Sequence, residues 1–169
     1  SRIIFPVNNI NGDTIAFGGR IIKNNKLAKY INSPETEFYK KGNIIFNLDK
    51  AKDLRSETDE VLIVEGYMDV VSVYSSGIKN VIANSGTALT ERQINLVWKF
   101  YHNPIICLDG DDSGQKAALR IAEKLLPLIN EQNRIYFSIM PDGKDPDDYI
   151  KKSGKQGLIN LLQEKEIIQ

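Results

Sequence analysis

Three acids in four positions follow an apolar run in IICLDGDDSG, residues 105–114. A buried carboxylate is costly, and like charges this close repel. Asp109 and Asp111 alternate about Gly110, so along an extended segment both can face one side. Acids stand in two equivalent places elsewhere. The apolar run VLIV ends at Glu65, and RIYFSIM ends at Met140 and leads into Asp142, Asp145, Asp147 and Asp148. Hard oxygen ligands with no His or Cys among them select Mg2+ or Mn2+ over zinc. Mg2+ takes a few carboxylates and completes its shell with water and substrate phosphates. In two-metal phosphoryl transfer such ions sit roughly 3.5–4 Å apart. Glu65, Asp109 and Asp111 are therefore the expected metal ligands. Any one acid could instead cap a helix, and Asp147 and Asp148 before YIKKSG suit a helix N-terminus. A phosphoacceptor receiver domain also gathers acids at strand ends, but the acid-rich loop 142–148 suits it poorly.

These acids converge only if a fold brings several strand ends to one rim. Residues 61–65, 81–84, 105–109 and 134–140 are apolar runs of strand type, alternating with segments of helix spacing. That alternation implies βαβ units and a parallel sheet of about four strands, flanked by helices, with ligands at the carboxyl ends. Strands apolar throughout imply cover on both faces. Gly77 should stop the first helix, and Thr90 with Gln93 should form a capping box. An Ala/Leu-rich helix is expected over 114–130, and the acidic stretch 141–154 should lead into a helix, with a last one at 157–165. Upstream, IIFPV and TIAFG around NNINGD read as a hairpin, followed by short strands, loops and a short helix near 48–55. SETDE at 56–60 reads as the boundary between the two parts.

Composition narrows the classes. With 41% apolar residues the chain can build a core and is not a disordered polymer. One Cys and one His leave no internal disulfide and no soft-ligand zinc site. The cysteine usage fits a reducing cytosol, so a cytoplasmic location is expected. No apolar run approaches the roughly 20 residues of a membrane span, so no membrane partner is expected. The opening SRIIFPV reads like the inside of a domain and suggests an excised fragment. Net charge is zero, yet residues 1–56 hold ten Lys and Arg against five Asp and Glu, and residues 57–169 hold twelve against seventeen. A basic face attracts phosphate and an acidic one attracts cations, although solvated faces can scatter this way by chance.

In the basic half, Arg20, Lys29, Lys40 and Lys41 can pair with phosphates, as sequence-neutral nucleic-acid binding requires. Tyr30, Phe38 and Tyr39 are interleaved with them; they could stack on bases, but core is the simpler reading. SGT at 85–87 could offer backbone amides to a phosphate, though a plain strand-to-helix turn is simpler. Cys107 reads as a buried small hydrophobe, Trp98 as core and His102 as a helix-end residue.

VEGYMDVV (64–71), DGDDSG (109–114) and PDGKDPDD (141–148) resemble the toprim catalytic motifs. FGGR (17–20), KYINSPET (29–36), KKG (40–42) and NSGTALT (84–90) resemble the flanking segments of the bacterial replicative DNA primase family. The resemblance covers essentially the whole chain. It implies a toprim fold over 57–150, the C-terminal part of a basic subdomain over 1–56, and the start of a helical subdomain over 151–169. It implies DNA-directed RNA primer synthesis: nucleotidyl transfer from NTPs to an RNA primer on single-stranded DNA, with two or more Mg2+ ions, for which Mn2+ substitutes. Glu65, Asp109 and Asp111 match the family's metal-binding acids, Asp145 and Asp147 its Asp-Pro-Asp pair, and Asp69 its supporting acid. Arg20, Lys29, Asn32 and Lys41 match polar positions along the nucleic-acid and nucleotide path. Asp112 departs from the basic or small residue expected at its position. The resemblance also implies a replicative helicase as partner, through a domain that is not in this chain. The alternatives are a toprim module of a topoisomerase or nuclease, or a toprim scaffold without catalysis.

Overall fold

The computed structural model describes residues 1–23, 27–86 and 88–167. Strands β1 (Arg2–Asn8), β2 (Thr14–Ile21) and β3 (Tyr30–Asn32) form an antiparallel sheet in that order. The expected hairpin forms with longer arms than the apolar runs alone indicate, because pairing extends from Arg2 opposite Ile21 to Asn8 opposite Thr14. A short helix α1 (Leu48–Ala51) follows and tightens into a 3-10 turn over Lys52–Leu54.

The second part alternates as its sequence requires: β4 (Glu60–Val64), α2 (Tyr67–Ser75), β5 (Val81–Ala83), α3 (Glu91–Trp98), β6 (Asn103–Leu108), α4 (Asp112–Leu125), β7 (Tyr136–Ile139), α5 (Pro146–Gln163) and β8 (Glu166–Ile167). The sheet order is β5-β4-β6-β7-β8. The four expected strands are parallel to one another, and β8 adds an antiparallel edge strand against β7. The Ala/Leu-rich helix begins two residues earlier than expected, because Asp111 caps it, and ends at Leu125 in a 3-10 turn that carries Pro127. The two helices expected after residue 141 join into α5, with a kink at Gly154 where φ is 67°. Ile150 and Leu158, on either side of that kink, pack into one core.

Side chains of a strand alternate between faces, and both faces are covered here. Val61, Ile63, Ile106 and Leu108 point into a core with α3 and α4, while Leu62, Val64, Ile105 and Cys107 point into one with α2 and α5. Trp98 is core as expected, and its Nε1 donates to the Arg134 carbonyl at 3.0 Å. His102 follows α3 and turns its backbone N–H and its Nδ1 onto Asp59 Oδ1, at 2.9 and 3.0 Å. Gly77 ends α2 with φ 103°, and Thr90 and Gln93 cap α3 reciprocally at 3.0 Å each way.

The two parts of the chain meet through backbone pairing and through packed side chains. Phe46 bridges Ala83 through both backbone hydrogen bonds, 2.8 and 3.1 Å, so residues just before α1 cover the β5 edge. A third core then holds Phe5, Val7, Ala16 and Tyr39 of the first part together with Tyr67 of the second. Of the interleaved aromatics only Tyr39 is core. The Thr36 hydroxyl accepts from the Phe38 and Tyr39 amides, and the turn so formed leaves Phe38 73% exposed. Tyr30 is 38% exposed on β3.

Candidate active site

Glu65 follows β4 and Asp109 follows β6, so adjacent parallel strands deliver two carboxylates to the same rim. The chain turns sharply after Asp109, and two glycines make that turn sterically possible. A Cβ on Gly110 would lie 1.9 Å from the Met140 carbonyl oxygen, and one on Gly114 would lie 1.9 Å from that of Asp109. The Gly110 amide donates to the Lys144 carbonyl at 3.0 Å, which ties the Asp109 loop to the acidic loop. Asp111 turns back on its own helix, where its Oδ1 accepts the Gly114 amide at 2.8 Å. Asp145 does the same for α5, accepting the Asp148 amide at 2.7 Å.

Asp69 stands behind this rim. Its two oxygens accept the amides of Gly66 at 3.1 Å and Asp147 at 3.3 Å, so one carboxylate joins the N-termini of α2 and α5. Burial, and then the Asp145 charge, push it up to about 7 against those two donors. Burial also raises Asp109, followed by the charges of Glu65, Asp145 and Asp111, to about 6. Glu65 moves upward too, through desolvation and the Asp111 charge. Asp147 goes the other way. Its burial raises it, but hydrogen bonds from Lys151 at 2.6 Å and from the Ser72 hydroxyl outweigh that and leave it below the ordinary aspartate value.

In Glu65, Asp69 and Asp109 the neighbouring negative charges add to the effect of burial, as they do where little solvent is shared. A divalent cation removes that repulsion, and an all-carboxylate donor set suits a hard one. Glu65, Asp109 and Asp111 lie near enough to couple electrostatically. Among the described residues, the acids whose oxygens all lie within 4.8 Å of one another are instead Asp145, Asp147 and Asp148.

A cleft of about 530 Å3 opens over the rim. Glu65, Asp69, Asp109, Asp145 and Asp147 line it on the side of the parallel sheet, and Arg20, Lys29, Tyr30 and Asn32 on the side of β2 and β3. Eight of the ten site residues expected from sequence line this cleft. Asp111 is not among them, although its charge reaches Glu65 and Asp109. Lys41 does not line the cleft either. It lies in a 3-10 turn, its amide bonded to Glu35 Oε1 at 2.9 Å and its carbonyl to Gln93 Nε2 at 3.0 Å. The 85–87 turn borders the cleft through Ser85 and Gly86, whose φ values are 60° and 77°; Thr87 lies outside the described residues. Sequence reasoning passed over Ser72, which bonds Asp147, and Tyr67, which reads as one more apolar position of α2. Tyr67 lies inside the VEGYMDVV motif, two residues after Glu65.

Two family models match the chain: Toprim-like over residues 62–150, and DNA primase catalytic core, N-terminal domain, over residues 1–52. A DNA primase of Pasteurella multocida is 41% identical over 162 residues, which is 96% of this chain and 28% of that protein. The solved Escherichia coli primase catalytic core superposes with a TM-score of 0.92 at 37% identity, covering 99% of this chain and 53% of that one. A DnaG primase catalytic domain bound to single-stranded DNA gives 0.92 at 36% identity, over 99% of this chain and 52% of that one. The chain thus spans little more than a quarter of that curated relative and about half of each of these solved cores.

Proposed function

This chain belongs to the toprim-like family and, within it, to the DNA primases, and from that membership we propose that it carries out nucleotidyl transfer, adding ribonucleotides to an RNA primer on a single-stranded DNA template. The observation that carries the reading is the two-sided cleft, with Arg20, Lys29 and Asn32 facing Glu65, Asp109, Asp145 and Asp147. In the reaction the primer 3′-hydroxyl attacks the α-phosphorus of a ribonucleoside triphosphate, its proton passes to solvent, and pyrophosphate leaves.

Arg20 and Lys29 offer positive charge to phosphates of the template or of the incoming nucleotide, and Asn32 offers an amide. Glu65, Asp109 and Asp111 are the residues proposed to hold Mg2+, with Asp145 and Asp147 beside them. When bound, the cations neutralise charge that gathers on the phosphates and the two reacting oxygens. Asp69 keeps the N-termini of α2 and α5 in register and thereby sets where Asp145 and Asp147 stand. Single-stranded DNA as the template is supported by the relative solved with it.

The test is primer extension. The chain is mixed with single-stranded DNA, a short annealed RNA, labelled ribonucleotides and Mg2+ or Mn2+, beside Asp109→Asn. Extension should require the metal and fall at least 100-fold in the variant, with a melting temperature no lower than that of the native chain. Extension retained by Asp109→Asn would remove the proposed role of that carboxylate.

A further inference from the structure

The Tyr67 ring links the basic sheet to the segment that carries the acidic rim. It is 3% exposed and stacks on Phe5 of β1, with centroids 5.1 Å apart and planes 8° from parallel. Phe46 meets it edge-on at 4.8 Å. Gly18 of β2 gives it room, since a Cβ there would lie 2.5 Å from Tyr67 Cε2. The ring is thus held on three sides by the first part of the chain, while its backbone opens α2, two residues past Glu65.

Burying this phenol does more than fill space. The hydroxyl donates to Asn32 Oδ1 at 2.6 Å. Asn32 ends β3 and lines the cleft, and with Oδ1 accepting from Tyr67 its Nδ2 keeps two donors for another acceptor. A free asparagine side chain rotates about two bonds; one anchored by a buried hydroxyl has given up that freedom beforehand. We propose that Tyr67 is a positioning residue for nucleotide binding, fixing the Asn32 amide against the acidic rim so that it meets an oxygen of the incoming ribonucleoside triphosphate. The proposal rests on the nucleotidyl-transfer reading given above. It assigns Tyr67 a role through Asn32 and none in bond making, so its loss acts on KM and spares kcat.

Tyr67→Phe keeps the ring and its stacking and removes only the hydroxyl. In primer extension with Mg2+, Tyr67→Phe should raise KM for the ribonucleoside triphosphate about three- to tenfold, the size of one lost hydrogen bond, and leave kcat within twofold. Asn32→Ala should raise KM at least as much, and adding Tyr67→Phe to it should change nothing more. A purely structural hydroxyl would instead lower the melting temperature of Tyr67→Phe and leave KM as it was. That result overturns the proposal, as do multiplicative effects in the double variant. Equilibrium binding of a fluorescent ribonucleoside triphosphate separates the two levels. If the native chain binds it and Tyr67→Phe binds equally well, only the role of Tyr67 falls. If the native chain neither binds nor extends, the nucleotidyl-transfer reading falls, and this inference with it.

Discussion

A carboxylate is useful at the end of a strand only if the chain can leave the strand without covering it. Gly110 meets that need for Asp109 by close approach, its φ lying outside the left-handed region. The Met140 carbonyl occupies the place of its Cβ, and that carbonyl belongs to a backbone that cannot rotate away as a side chain would. Gly110→Ala should therefore cost about 3 kcal/mol or more and part the Asp109 loop from the acidic loop, readable as a drop in urea midpoint and a loss of extension. At this scale much was legible. Glu65 and Asp109 announce themselves because an apolar strand runs directly into each, and no ordinary surface turn needs that. Lys41 matches a position along the nucleic-acid path yet lies outside this cleft, since its place depends on which way a short 3-10 turn faces, and no periodicity encodes that. Tyr67 was illegible for another reason: its partners Phe5, Gly18 and Asn32 are 62, 49 and 35 positions away in the chain, and nothing local to α2 refers to them.

Elements are positioned by a few saturated polar contacts as well as by apolar packing. Gln93 has no solvent exposure, yet its side chain is fully used. Oε1 accepts the Thr90 amide at 3.0 Å, and Nε2 donates to the Lys41 and Ile44 carbonyls at 3.0 and 2.9 Å. One side chain therefore caps α3 and clamps the basic part of the chain to it. The Thr90 hydroxyl completes the clamp, accepting the Gln93 amide and donating to the Gly42 carbonyl at 2.6 Å. Replacing Gln93 with Leu strands two carbonyls and one amide, and should cost about 2–4 kcal/mol in equilibrium unfolding. Gln93→Glu sets an acceptor against the same two carbonyls and buries a charge, so it should recover none of this loss. The capping box itself could be seen in TERQ, because its signature is local. Its second task could not, because the recipients are backbone carbonyls 49 to 52 residues upstream. Strand β8 escaped notice for a similar reason. Two residues carry no pattern, and it exists because α5 returns the chain beside β7.

The whole molecule sets a basic sheet against an acidic rim, whose carboxylates are raised first by burial and then by one another's charge. Asp69, Asp109 and Glu65 all hold protons more tightly when folded than an unfolded aspartate or glutamate does. Their sign is fixed: the folded chain binds more protons than the unfolded one, so stability is lost as pH rises through their folded values. The window runs from the ordinary aspartate value of 3.8 to about 7, where Asp69 ends its titration. Asp147 has the opposite shift, and its contribution fades only as pH falls below the ordinary value, outside that window. Without divalent metal, the melting temperature should therefore decline between about pH 5 and pH 8. Asp69→Asn should flatten the decline, since it removes the group that titrates last. Mg2+ competes with protons for the same oxygens, so it should raise the melting temperature more at about pH 8 than at about pH 5. Thermal melts at both pH values, in chelator and in Mg2+, read all three effects. A metal-free melting temperature that climbs across this range would mean that burial and mutual charge do not raise the rim carboxylates, and the case for a cation among them would lose its electrostatic support.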